Sequence, residues 1–147
     1  MPFLSLEDFE TKLEQSVVAN RLGIRNEIPE HYGDRVIELY HCYRVISDLF
    51  IIGISRSIYI TSGYRCAELN KAVGGVSGSK HCECKAFDFG FSSVACKSDF
   101  SKCFDALKIN VVRYHMRAGL SFDEALLMFR KHFIADSKNL VVHFQRS

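Results

Sequence analysis

The sequence predicts an α+β fold, a small antiparallel sheet flanked by helices, built as one domain over residues 1–147. Three observations predict it. Apolar residues recur at helical spacing in four separate stretches, and short runs rich in β-branched and aromatic residues lie between them. No repeat, low-complexity tract or linker divides the pieces. A chain of 147 residues can bury a sizeable core without disulfide staples, and 48% hydrophobic with 24% charged residues lies well outside the compositions that stay disordered.

Taken in order, Ser5 supplies an N-cap, and Leu6, Phe9, Leu13 and Val17 predict an amphipathic helix to about Asn20. Gly23 and the stretch from Asn26 to Gly33, which contains Pro29, break that pattern. Val36, Leu39, Tyr40, Tyr43, Ile46 and Phe50 then resume it on one face of a longer helix. Ser57-Ile58-Tyr59-Ile60-Thr61 reads as a short strand that stops at Ser62-Gly63. A short helix over Arg65 to Val73 is expected to give way to a loop from Gly74 to Ser79, where three glycines in five residues disfavour any regular element. Ala86 to Phe89 reads as a second strand, and Phe100, Cys103, Phe104 and Leu107 at i, i+3, i+4, i+7 as a helix. Ser121 and Glu124 form a capping box that opens another helix, with Phe122, Ala125, Leu126 and Phe129 on its buried side. Leu140 to Phe144 is a terminal apolar strand that contains His143.

Charge and composition exclude several functions. The 19 basic and 17 acidic residues are interspersed, so no field forms that would collect nucleic acid or an anionic membrane. The most apolar stretch, Leu49 to Ile54, is far shorter than the roughly 20 residues that span a bilayer. The N-terminus lacks the basic start and apolar run of a secretory signal, so cytoplasmic synthesis without export is expected. Six cysteines (Cys42, Cys66, Cys82, Cys84, Cys96, Cys103) would suit disulfides in an oxidising compartment, but without a signal reduced thiols are the default. None is spaced as C-x-x-C; Cys82-Glu83-Cys84 is the nearest approach to a structural zinc module. The glycine loop lacks the Gly-Lys-Ser/Thr ending of a nucleotide cradle.

A catalytic metal needs about three fixed protein ligands and one open position. His81 and Asp88 are the evident pair, His81 at the end of the glycine-rich loop and Asp88 on the strand that follows. A third ligand must come from elsewhere, and pairing within the sheet would bring His143 beside Asp88. A histidine on an apolar strand is ordinarily a packed core residue; His81 and Asp88 are what argue otherwise here.

The stretch from Thr61-Ser62-Gly63-Tyr64-Arg65 through Asn70, Gly74-Gly75 and Ser79-Lys80-His81 to Ala86-Phe87-Asp88 resembles the M15 peptidases, the D-alanyl-D-alanine carboxypeptidases and phage endolysins. The resemblance implies a Hedgehog/DD-peptidase-like fold, a zinc ion held by His81, Asp88 and His143, and Arg65 binding a substrate carboxylate or developing oxyanion. It further implies hydrolysis of bacterial cell-wall peptides, with a carboxylate carrying the proton to the leaving amine. Relatives place that carboxylate three residues before the last histidine, where this chain has Leu140, so Asp136 is the candidate base and Glu83 and Glu124 stand behind it. Cys84 stands where the family usually carries glycine. The fold would also serve a zinc-binding protein that has lost turnover.

Overall fold

The computed structural model describes residues 3–51 and 56–147; the first two residues and the end of the apolar stretch Leu49 to Ile54 lie outside the described residues. In chain order the elements are α1 (Leu6–Glu14), α2 (Val17–Leu22), a 3-10 turn (Glu30–Tyr32), α3 (Gly33–Ile51), β1 (Ile58–Ser62), α4 (Ala67–Ala72), β2 (Ala86–Phe91), α5 (Lys97–Arg117), α6 (Phe122–His132), β3 (Phe133–Asp136) and β4 (Val141–Gln145). The strands form one sheet in the order β1-β2-β4-β3, with every neighbouring pair antiparallel. Among the described residues no helix is long and apolar enough to cross a membrane.

The period-two alternation of β2 and β4 divides the sheet into two unlike faces. Phe87, Phe89, Phe91, Val142 and Phe144 are buried, and Asp88 and His143 alternate with them on the opposite side. Helices cover the first face with aromatic contacts. Phe9 of α1 meets Phe87 edge-on at 5.8 Å, Phe50 of α3 and Phe100 of α5 pack on Phe91 at 4.7 and 5.6 Å, and Phe129 of α6 stacks on Phe133 at 4.8 Å. Phe9, Phe50, Phe87, Phe89, Phe91 and Phe100 are all fully buried, each contributing about 1.5–3 kcal/mol of transfer free energy. With the cohesion of the fold on one face, the other is left free for chemistry.

The structure corrects some of these expectations and extends others. The helix expected to run from Leu6 to Asn20 is two helices, because the Ser16 hydroxyl accepts the Ala19 N–H at 3.1 Å and caps a new start; Val17 is consequently 81% exposed rather than part of the buried stripe. The helix marked by Phe100 to Leu107 extends to Arg117. The capping box at Ser121 and Glu124 is present, but Phe122 is exposed while Ala125 and Phe129 are buried. Phe133–Asp136, which gave no strand pattern of its own, pairs with β4, and Leu140 sits in the turn between them with φ +58°.

Candidate metal centre

Asp88 and His143 are directly opposed residues of β2 and β4, so their side chains leave the sheet on the same side. Asp88 Oδ1 lies 2.9 Å from His143 Nδ1 and 3.3 Å from His81 Nε2. The two imidazole rings are 5.1 Å apart at 63°. His81, Asp88 and His143 each offer one donor atom, and the three atoms all lie within 4.8 Å of one another. Ligands of a tetrahedral zinc ion at about 2.0–2.1 Å stand about 3.4 Å apart, so the group has the right span.

The outer nitrogens show which atoms are free to ligate. His81 Nδ1 lies 2.6 Å from the Gly63 carbonyl oxygen, which can only accept, so Nδ1 carries the proton and Nε2 presents its lone pair. His143 Nε2 lies 3.0 Å from Gln145 Oε1, leaving Nδ1 toward Asp88. Two imidazole lone pairs and a carboxylate oxygen thus converge, a donor set that suits zinc and leaves a fourth position open. Replacing Gln145 with alanine is expected to weaken zinc binding about 10- to 100-fold, while Gln145→Glu, which keeps an acceptor, retains it; competition against a chromophoric chelator measures both.

Close approach of chain segments places His81. An added Cβ on Gly63 would lie 2.5 Å from Leu13 Cα, and the next residue, Tyr64, donates its N–H to the Leu13 carbonyl at 2.8 Å. Only glycine lets the end of β1 lie against α1 while aiming its carbonyl at His81. Gly63→Ala is therefore expected to cost about 1–3 kcal/mol or more and to lower zinc affinity with it, readable as a joint fall in Tm and in metal affinity. Ser79, buried on the glycine-rich loop, accepts the His81 N–H and an Arg65 Nη2–H through its hydroxyl, both at 3.3 Å.

Arg65 follows from the same geometry. The buried Asn26 side chain donates to the Tyr64 carbonyl at 2.8 Å and to the Glu14 carbonyl at 3.1 Å, and it accepts the Cys66 N–H at 2.8 Å. The backbone is thus pinned on both sides of Arg65, whose own N–H donates to the His81 carbonyl at 3.3 Å. Among the described residues the buried Arg65 Nε has no acceptor, a state that costs about 1–3 kcal/mol and that an anionic ligand would relieve.

Cys84 is buried with φ +54°, in the left-handed region that favours glycine. That backbone explains the glycine usual at this position. Burial pushes its thiol up to about 11, so it is a poor thiolate donor. Burial raises Cys82 as well, and neither thiol belongs to the three-residue group.

Burial pushes the Asp88 carboxyl up, but the His143 and His81 imidazoles beside it outweigh that effect and bring it down to about 2. The hydrogen bond to Asp88 raises His143 above its ordinary value, against the effect of burial. In the metal-free protein the contribution of Asp88 is present above about pH 4 and lost as pH falls through about 2; that of His143 is full below about pH 6.5 and lost as pH rises through its raised value. Zinc needs His143 unprotonated, so its binding runs the other way. Relative to His143→Gln, the metal-free chain is expected to be more stable at pH 5.5 than at pH 8, while the Tm gained on adding zinc is smaller at pH 5.5. Thermal unfolding with and without chelator tests both signs.

Asp136 is not part of the convergent group. It pairs with Val141 at the end of the β3–β4 hairpin, two residues along from Ile134, which opposes His143. Its carboxylate accepts from Asn139 Nδ2 at 2.8 Å and from the Asn139 N–H at 3.2 Å, and these bonds hold it below the usual carboxylate range. Glu124 is held in its capping box by Ser121. Asn26 and Gln145 carry no motif signal toward the site, whereas Gly63 and Ser79 lie inside the Ser-Gly-Tyr-Arg and Ser-x-His segments of the motif.

A family model described as Peptidase M15 matches residues 11–117, well over half of the chain, and includes Arg65, His81 and Asp88 but stops short of His143. No curated protein and no solved structure matches the chain.

Proposed function

Because the chain belongs to the peptidase M15 family, we propose that it is a zinc-dependent peptidase that hydrolyses the peptides of bacterial cell-wall peptidoglycan, as a carboxypeptidase or an endopeptidase of the phage type. The observation that carries this reading is the convergence of His81, Asp88 and His143 with both outer imidazole nitrogens tied to acceptors. His81 Nε2, Asp88 Oδ1 and His143 Nδ1 would hold the ion. When bound, zinc supplies Lewis acidity toward a carbonyl oxygen and toward a water. Arg65 receives a substrate carboxylate or the oxygen that gains charge, its backbone already fixed by Asn26 and its guanidinium steadied by Ser79. Asp136, anionic at neutral pH, takes a proton from the attacking water and returns it to the leaving amine once it has turned from Asn139. The enzyme acts on the wall after release or delivery from the compartment of synthesis.

One observation favours a second reading, a zinc protein without turnover: Leu140 stands three residues before His143, and the only carboxylate placed on that hairpin is engaged by Asn139. Incubation with purified peptidoglycan and synthetic wall peptides, following new amino groups, separates the two. Release by the parent and not by His81→Ala supports the peptidase. Stoichiometric zinc without release from any wall substrate supports the silent protein.

A further inference from the structure

The metal group belongs to a row of residues that crosses the open face of the sheet, and β1 carries that row one strand further. Ser62 is the direct partner of Asp88, as Asp88 is of His143, so its side chain leaves the sheet on the same side. Ser62 also forms part of the wall of a cleft of about 280 Å³, bounded by the α1–α2 link, the start of α2, the end of β1 and α4. The cleft therefore opens beside the metal group, at the β1 edge of the sheet.

Two elements give the cleft hydrocarbon walls, α2 through Val17 and Val18, and α4 through Leu69 and the Val73 that follows it. Leu69 is buried, whereas Val17 and Val73 stand exposed at the rim, apolar surface that a bound side chain would cover. Arg65 is the one charged residue among the described residues that line the cleft. Among the described residues no carboxylate pairs with it, its Nε has no acceptor, and its Nη2 is held by the neutral Ser79 hydroxyl. An uncompensated guanidinium beside aliphatic walls is complementary to a carboxylate and an aliphatic side chain borne on one carbon. With no acid on the wall, a cationic side chain finds no partner there. The volume lies just below the roughly 300–1,000 Å³ of drug-sized ligand sites, which suits a single amino-acid residue and leaves most of the space empty around a methyl group.

We propose that this cleft is the specificity pocket for the carboxyl-terminal residue of the substrate: Arg65 receives its carboxylate, while Val17, Val18, Leu69 and Val73 receive an aliphatic side chain of valine or leucine size in preference to the methyl of alanine. The inference rests on the peptidase reading and, of the two roles given to Arg65, on the first. It adds a substrate class, peptides that end in a larger aliphatic residue.

Chemical-shift titration of the zinc-loaded protein with N-acetyl-leucine, N-acetyl-alanine, N-acetyl-lysine and N-acetyl-leucinamide, each as both enantiomers, reads the cleft without turnover. For the better-binding enantiomer, N-acetyl-leucine is expected to bind about tenfold or more tightly than N-acetyl-alanine, and about tenfold more tightly than the lysine and amide compounds. Val73→Trp should bring the leucine compound to the affinity of the alanine one by filling the space, and Val17→Asp should reverse the order of leucine and lysine by supplying an acid. Both positions are exposed, and circular dichroism and Tm show that the variants fold. Peptides ending in leucine should likewise be hydrolysed with kcat/KM about tenfold above those ending in alanine. Absence of saturable binding, equal affinity for the leucine and alanine compounds, or a leucine preference that neither substitution changes overturns the proposal. Failure of the peptidase reading is a different result: N-acetyl-leucine binds as expected, but no new amino groups appear from peptides of either ending.

Discussion

Replacing His143 with alanine is expected to remove tight zinc binding and to abolish turnover while leaving the fold intact. His143 sits half-exposed on the open face of the sheet, so the change creates no cavity in the aromatic core, and above the raised value of His143, where its contribution to the metal-free chain is lost, the Tm of the metal-free protein should move little. The zinc-dependent gain in Tm should vanish, because His81 and Asp88 alone offer two ligands where a catalytic site needs three. The loss of affinity should exceed the roughly 10- to 100-fold expected for Gln145→Ala, which removes only an outer hydrogen bond. His143 is the sharpest choice because it lies beyond residues 11–117, so its place in the centre rests on β-sheet pairing with Asp88 rather than on the family match. Near-parental affinity in a chelator competition would show that the third ligand lies elsewhere.

Arg65→Lys is expected to lower kcat/KM on wall peptides by about 10²–10³-fold with zinc content unchanged. Lysine keeps the charge but loses the planar fork, and it gives up the Nη2 bond to Ser79 that steadies the arginine beside His81. The backbone clamp of Asn26 on Tyr64 and Cys66 is untouched by the substitution, so the defect should be confined to substrate handling. Peptides amidated at the carboxyl terminus separate the two tasks open to Arg65. If arginine binds a terminal carboxylate, amidation costs the parent as much as Arg65→Lys costs the free acid; if it stabilises the developing oxyanion, amidation is tolerated and the substitution is not.

The sequence was most legible where one local rule governs. The stripe from Val36 to Phe50, the capping box at Ser121 and Glu124, and the strand around Asp88 each depend on periodicity or capping within a few residues, and each formed as read. The Ser16 cap is hard to read because a serine within an apolar stripe looks like one polar position, although it competes for the Ala19 N–H and starts a new helix. β3 was hidden because Phe133–Asp136 is stabilised by pairing with β4, a non-local contact that leaves little trace in four residues. The metal group was visible as residue types, since His81 and Asp88 lie inside a long motif. Its supports are less so: Asn26 and Gln145 lie outside that motif and act through backbone carbonyls and an outer hydrogen bond, and Gly63, inside it, acts through a close approach to Leu13; all three depend on where distant segments meet. Cys84 shows the reverse, a departure visible in sequence whose reason, the left-handed backbone, is evident only in the fold.

The central claim is that one zinc ion is held by His81, Asp88 and His143, and anomalous diffraction from crystals grown with stoichiometric zinc tests it most directly. The account predicts one peak per chain, about 2.0–2.2 Å from His81 Nε2, Asp88 Oδ1 and His143 Nδ1, with Gly63 and Gln145 still holding the outer nitrogens. A peak on the Cys82 or Cys84 sulfur, or no peak among the three residues, would contradict it.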